Sequence, residues 1–589
     1  MLSEAQFQRA LSLMQRCRSY EQHSEVVGTD YHIGWAAYPE YPITVHRTEN
    51  AFLLIEGRIY DRDTTEITQF ADEVDFDDDR VERFRVRLEL LLRECDAETV
   101  VVYVDCAPGG QALIVNDCLG RLPVYWAEDR RQVIVGRDSL AVTHLCGSVR
   151  ADRCGVAETL LFGFPLGART LFDGVRRLPP AVSLCIGARN GESPVEPYEE
   201  WDFSEKSGTD IHSASDTAAQ LAETFVQACR DRAARLGERP AVLFLSGGLD
   251  SRAVAGGLVR AGVTPQTLTY VGEPDHPLAE SEMAARVAAA LGCAHETLTL
   301  REPRALDRQW AVEIRNGLTY AALGHLRQVY DALLERYGHN GMLFTGDGGD
   351  KVMPPLRPPW QVKSDHQLLR ILLARGGLFG VQQVCRLTGM RRKDLIEFLL
   401  AYLDGYPEKD PGDKLIRFAV FERGYKWLFD GEDRSRMHMW STSPFYAPAF
   451  FRQGMAIPQS LKRSRVLYTE FLRTLSPALV DVPDSNTGQL PGEQRDRMRE
   501  QLKDSLGRWP RLDRLVRQAR LWRRMGTVPR ERRWSPEPLQ DCDTLAVFSD
   551  GLDLQAARLM QARRLSALKY WQLVTVLWAL YQGEATGGV

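Results

Sequence analysis

The chain has 589 residues, 44% of them hydrophobic, eleven cysteines and a formal net charge of −5. That length exceeds what one hydrophobic core supports and predicts two or three domains, while the near-balance of charge excludes a global attraction to nucleic acid or anionic membrane. The cysteines are dispersed, with no C-x-x-C pair and no metal-ligand spacing, which fits a reducing compartment and buried thiols better than a disulfide framework. Met1-Leu-Ser-Glu lacks the basic start and apolar run of a signal peptide, and the apolar stretch Trp571–Tyr581 is far below membrane-spanning length. The expectation is a soluble, cytoplasmic protein with a packed terminal helix and no membrane partner.

Residues 1–200 read as a β-rich domain. Short apolar runs at Ala51–Ile55, Val100–Val104, Ala112–Val115 and Val133–Val135 are bounded by Gly, Asp and Asn, and Glu82–Glu94 has amphipathic helical spacing. Cys17, the earliest cysteine, falls in an expected helix. Three phrases carry more than propensity: Ile55-Glu-Gly-Arg-Ile-Tyr60, Asn116-Asp-Cys-Leu-Gly-Arg-Leu-Pro-Val-Tyr125 and the segment Phe164–Pro180. Between Tyr198 and Asp216 the composition turns acidic, aromatic and then Ser-rich, which places a domain junction there.

Residues 201–495 alternate strand and helix: a helix at Ala218–Leu236, strand 241–245, helix 251–261, strand Gln266–Val271, helix Leu278–Leu291 and strand Glu296–Leu300. That order predicts a parallel sheet with crossover helices and a ligand beyond the carboxyl ends of its strands, near Phe244 and Val271. The first strand ends in Ser246-Gly247-Gly248-Leu249-Asp250-Ser251, a glycine turn that opens a helix. Bare backbone N–H groups and the helix dipole make such a turn attractive to an anion. It has no Walker A lysine, and Asp250 beside phosphate calls for an intervening cation, inferred to be Mg²⁺. A second strand-plus-glycine turn, Gly341–Asp350, carries Gly346, Asp347 and Asp350, so it can hold the cation opposite Asp250. Lys351-Val-Met-Pro-Pro355 follows.

Residues 356–412 read as helices with basic patches, and further helices are expected at Leu415–Phe429 and Leu461–Leu475. Residues 496–589 are expected to form a helical extension of this domain. From Glu493 to Arg533 the chain is basic, with Trp509 and Trp522, but acidic residues interrupt the charge and no RNA-binding motif is present, so no nucleic-acid partner is expected.

Ser-Gly-Gly-x-Asp-Ser resembles the pyrophosphate loop of ATP pyrophosphatases, and the phrases of the N-terminal 200 residues are similar to the glutaminase domain of asparagine synthetases. The resemblance implies an α/β architecture: an N-terminal Ntn-hydrolase-like (αββα) domain followed by an ATP-pyrophosphatase domain with helical additions. It implies ATP and Mg²⁺ as cofactors, Asp250 and Asp350 as metal ligands, and adenine lying against the main chain at Val271. Asp347 takes the position of a carboxylate facing the acyl group or amine. The glutaminase of that family needs an N-terminal cysteine after removal of Met, acting as nucleophile. Here Leu2 follows Met1, and Arg58 replaces the usual Glu, so no glutaminase activity is expected. Relatives also carry a late-loop lysine, absent from Val480–Pro491; Arg423, Lys426 or Lys462, or else Asn486 with backbone N–H groups, would replace it.

Beta-lactam synthetase and lasso-peptide cyclases look like relatives with the same loss. The implied reaction is therefore ATP-dependent amide formation through an acyl-adenylate, with lasso-peptide macrolactam formation the most concrete case. The substrate would carry a carboxylate and an amine, with a precursor peptide and a protease as partners. The alternatives are an ammonia-using amidotransferase acting on a sugar acid or aspartate, and a catalytically silent nucleotide-binding scaffold.

Overall fold

A computed structural model describes residues 3–506 except 74–78, 129–131, 148–149, 188–194, 205–212, 273–277 and 377, together with scattered residues from 508 to 552 and residues 565–587. Leu2, Trp522 and most of the stretch between 507 and 564 lie outside the described residues.

The N-terminal part is built on a six-stranded antiparallel sheet ordered Val195–Pro197, Val182–Ile186, Ala112–Asn116, Ala97–Asp105, Ala51–Ile59, Ile43–Arg47. The two longest strands pair over their full nine residues, Ala51 opposite Asp105 and Ile59 opposite Ala97. Helix Arg80–Glu94 covers one face because Val81, Phe84, Leu88, Leu91 and Leu92 recur at helical spacing and are all buried. A ribbon of Glu21–Val27 with Tyr31–Ala37 and a three-stranded sheet containing Tyr125–Glu128 and Val133–Gly136 complete this part. The helix at the start is Glu4–Met14, closed at Ser3 by a capping box with Gln6. It ends before Cys17, contrary to the sequence expectation.

The second part is organised on a five-stranded parallel sheet: β1 Ala241–Phe244, β2 Gln266–Val271, β3 His295–Thr299, β4 Met342–Phe344 and β5 Trp440–Thr442. Their order is β3-β2-β1-β4-β5. The chain therefore steps outward from β1 to β3, then returns to place β4 on the other side of β1. At such a reversal the loops leaving the two neighbouring strands part and open a crevice at their carboxyl ends. Helix α1, Leu249–Arg260, follows β1 directly.

One buried cluster joins Val100 and Leu122 of the N-terminal part to Leu243, Phe344 and Trp440 of the parallel sheet. Helix Ala567–Gly587 belongs to another, with Leu160, Leu368 and Leu399. Among the described residues no single helix is long and apolar enough to cross a membrane; the bent pair Asp365–Gly376 and Val381–Thr388 passes by length and composition, with Leu368, Leu372, Val384 and Leu387 buried in the protein.

Two expected helices change form. The one placed at Leu415–Phe429 is α-helical over Pro411–Arg417, widens to a π-helix over Phe418–Leu428 and resumes at Phe429–Arg436. The one placed at Leu461–Leu475 is broken: Gln459–Lys462 and Val466–Leu475 are separated at Ser464 and Arg465, with φ of +54° and +58°.

Candidate functional site

Both acidic glycine turns emerge where the strand order reverses. The turn after β1 is tied to itself by its serines. The Ser246 N–H donates to Ser251 Oγ at 3.0 Å, and Gly248 N–H donates to Ser246 Oγ at 3.2 Å. Gly248 caps α1 with no side-chain acceptor for the first-turn N–H groups, leaving the helix start able to meet an anion.

The turn after β4 lies directly against it. A Cβ at Gly346 would stand 2.5 Å from the Ser251 nitrogen, and one at Gly349 would stand 2.5 Å from Asp250 Oδ1. Only glycine permits this approach. Gly348 adds a φ of +97°, with the Tyr446 ring closing the space a side chain would need. Asp250, Asp347 and Asp350 are thereby gathered from two turns that are distant in the sequence, at the carboxyl ends of neighbouring strands.

Their electrostatics are those of crowded carboxylates. Burial, and then the charge of Asp350, push Asp250 up to about 7, although Tyr468 donates a hydrogen bond to its Oδ1. Burial, then Glu432 and Asp350, push Asp347 up to about 8. Glu432 stands beneath the turn and accepts from Thr345 Oγ1 at 3.1 Å. Asp350 is exposed to the crevice and ion-paired with the buried ammonium of Lys351. A divalent cation between Asp250 and Asp350 would relieve their repulsion, so the donor set suits Mg²⁺. Among the described residues no three His, Cys, Asp or Glu side chains converge on one metal position. The protein thus offers two carboxylates, and phosphate oxygens and water would complete the coordination.

A cavity of about 220 Å³ opens at this point, bordered by Asp250, Asp350, Lys462, Arg465, Tyr468 and Asn486. The late loop reaches the β1 turn through Ser485, whose N–H donates to the Gly247 carbonyl at 3.1 Å; a Cβ at Gly247 would fall 2.6 Å from that of Ser485. Arg252 fixes this arrangement from below. Its Nη1 donates to the carbonyls of Leu479 and Val482 at 2.7 and 2.6 Å, and its Nη2 to those of Gly247 and Pro483 at 3.0 Å.

Phe244 and Val271 stand at the carboxyl ends of β1 and β2, where the strand pattern placed them; the Val271 carbonyl accepts from Leu300 N–H at 2.8 Å. Lys426 and Arg423 require a correction. Lys426 does not border the cavity: its Nζ donates to the Gly167 carbonyl, among Arg177, Glu422, Asp430 and Glu158. Arg423 is exposed and acts on the site only through its charge, which helps lower the Lys351 ammonium. The π-helix packs against Lys351 through Gly424 while directing Lys426 to Gly167.

Sequence reasoning missed Tyr468, Arg252, Ser485 and Glu432. Arg252 left a signal, since a lone arginine opens the otherwise apolar run Ala253–Val259. The others act across separations that no local pattern encodes. A larger cavity, about 290 Å³, lies in the N-terminal part between Leu11, Trp35, Leu54 and Val102. It contains none of the expected site residues, and Glu56 and Arg137 at its polar end bind each other at 2.9 Å.

Residues 220–397 match the asparagine synthase family, a span that includes β1 to β4 and both turns. Among curated proteins, the amidase chry2 of Gibberella zeae is 28% identical over 151 residues, 23% of this chain and 22% of that protein, so less than a quarter of that relative is represented. Among solved structures, an NMN synthetase from Francisella tularensis aligns with 15% identity over 37% of this chain and 96% of its own, at a TM-score of 0.19. This match assigns residues 220–397, the span that holds both acidic turns, to an asparagine synthase domain.

Proposed function

We propose that the protein is an ATP-dependent ligase that forms an amide through an acyl-adenylate, releasing AMP and pyrophosphate. The observation that carries this reading is the contact of the two glycine turns at the strand-order reversal, which sets Asp250 and Asp350 beside a helix N-terminus open to phosphate. The membership of residues 220–397 supports ATP-using, ligase-type chemistry.

In the adenylation step a substrate carboxylate oxygen bonds to the α-phosphorus of ATP, and the α–β bridging oxygen leaves with its electron pair as pyrophosphate. The Ser246–Ser251 backbone and hydroxyls receive the departing phosphates. Asp250 and Asp350 would hold Mg²⁺, which neutralises charge accumulating on the phosphate oxygens when bound. In the second step an amine nitrogen bonds to the acyl carbon and AMP leaves. Asp347, held by Ser443 Oγ donating to its carbonyl at 2.5 Å, accepts the amine proton, and burial beside Glu432 makes its carboxylate basic enough near neutrality.

The N-terminal part serves in this reading as a degenerate glutaminase-like module without glutaminase chemistry. In support, burial pushes Cys17 up to about 11, and Cys95, Cys106, Cys118, Cys154 and Cys185 upward as well, which disfavours their thiolate forms. The amine is then supplied with the substrate. Holding amine and acyl group in one molecule is worth about 7–11 kcal/mol, which makes an intramolecular macrolactam, of the lasso-peptide kind, the favoured product.

The test is product analysis with ATP, Mg²⁺ and peptides carrying a free amine and a carboxylate. AMP, pyrophosphate and amide should appear in equal amounts. ADP and phosphate in their place would refute adenylation, and turnover with ammonium alone would replace the intramolecular reading by an ammonia-using one.

A further inference from the structure

The cations around the crevice differ in what neutralises them. Lys351 is paired with Asp350. Arg465 is paired with Asp484 at 2.8 Å and with Glu500 at 3.3 Å. Lys462 is only 1% exposed, and its Nζ donates to one backbone carbonyl, Val352 O, at 2.7 Å. Among the described residues no carboxylate lies within ion-pair distance of it, and burial alone pushes the ammonium down to about 7.

An ammonium carries three N–H donors and a full charge, and burying that charge without a counterion is costly. The backbone around it is also held in an unfavourable form. Ser464 and Arg465 are consecutive non-glycine residues in the left-handed region, and Lys462 before this turn and Arg465 within it both border the cavity that Asp250 and Asp350 border. Strain of this kind persists where the surrounding structure enforces it, and it concentrates at ligand sites.

We propose that Lys462 is the phosphate-binding cation of the crevice, its Nζ taking an oxygen of the pyrophosphate that leaves during adenylation. The inference rests on the proposed reaction for the identity of the anion. Lys462 then carries out from the neighbouring segment the charge compensation that the loop Val480–Pro491, which contains no lysine, does not supply. Val352 orients the ammonium, and the incoming anion provides its counter-charge.

Titration calorimetry of the full-length protein with inorganic pyrophosphate and Mg²⁺ tests this. Lys462→Met should weaken pyrophosphate at least about tenfold, the loss of one charge-assisted hydrogen bond. Lys462→Gln, which keeps a donor for Val352 but no charge, should weaken it comparably while leaving the melting temperature near that of the wild type. Wild-type affinity in Lys462→Gln, or no binding by the wild type, would overturn the proposal. Should neither variant fold, the wild-type complex with pyrophosphate must place Nζ against a phosphate oxygen, and an Nζ bound to Val352 alone would overturn it. Pyrophosphate binding that depends on Lys462, in a protein that never releases AMP from ATP, would leave this inference standing and remove the proposed reaction.

Discussion

Two regions of the molecule bury charge in opposite ways. Where the N-terminal part meets helices Ala214–Ala234 and Phe429–Arg436, buried charges meet partners of opposite sign: Arg436 with Glu98 at 2.7 Å and Glu432 at 3.1 Å, Arg177 with Asp430 at 2.7 Å, and Arg232 with Asp96 at 2.6 Å. In the crevice between β1 and β4, Asp250 faces Asp350, Asp347 faces Glu432, and Lys462 faces a carbonyl. The first region spends its charges on joining two parts of the chain. In the second, among the described residues, Asp250 and Lys462 border one cavity with no ion-pair partner of opposite sign, an arrangement that a metal–polyphosphate would satisfy.

The contrast is broken most forcefully at the carboxylates. Asp250→Ala and Asp350→Ala should each lower turnover by about 10³-fold or more, since either substitution leaves the cation short of an oxygen ligand worth several kcal/mol in the transition state. Comparable turnover in either variant would place the metal elsewhere. Asp347→Asn should separate the two steps. Amide formation should fall by about 10²-fold or more, while exchange of labelled pyrophosphate into ATP continues in the presence of the carboxylate substrate. Equal loss of both would reassign Asp347 to shaping the turn.

Arg252 sharpens the comparison from the structural side, because it is buried yet bound by four carbonyls and no carboxylate. Arg252→Met should destabilise the fold by about 1–3 kcal/mol through the stranded carbonyls and should raise the KM for ATP more than it lowers kcat. Chemical denaturation and steady-state kinetics would show whether stability and ATP binding fall together. A smaller effect is expected in the metal-free protein. Asp250 has its carboxyl raised to about 7 in the fold, so the stability it contributes is fully present below its ordinary range near 4 and is lost as pH rises through about 7. Asp250→Asn should flatten the fall in melting temperature over that window, by at most about 1.4 kcal/mol per pH unit. An unchanged pH profile would mean that Asp250 titrates normally.

Much of the crevice was legible because its chemistry is written in backbone. Turns that expose N–H groups and pack this closely need Gly346 and Gly349 against the first turn and Gly247 against Ser485, where an added Cβ would fall within 2.5 to 2.6 Å of a neighbouring atom, and such glycines punctuate a sequence visibly. The alternation of strand and helix likewise pointed to the parallel sheet. Trp440–Thr442 escaped because three residues between helices carry no period, and their strand character comes only from pairing with Met342–Phe344. The break at Ser464 and Arg465 escaped because the polar run Lys462-Arg-Ser-Arg465 contains no Gly or Pro to mark a left-handed turn. Tyr468 meets Asp250 from 218 positions away, a distance over which sequence pattern has no reach. Lys426 was misplaced for a related reason: residue type suggested a cation for the site, but the π-helix turns it toward Gly167.

The central claim is that the crevice between β1 and β4 holds the polyphosphate of ATP across a metal shared by Asp250 and Asp350. Its most direct test is a crystal structure with α,β-methylene ATP and Mn²⁺, read by the anomalous signal of the metal. The account predicts a manganese peak between the Asp250 and Asp350 carboxylates with the phosphates over Ser246–Ser251. A nucleotide bound elsewhere, or a metal that touches neither aspartate, would contradict it.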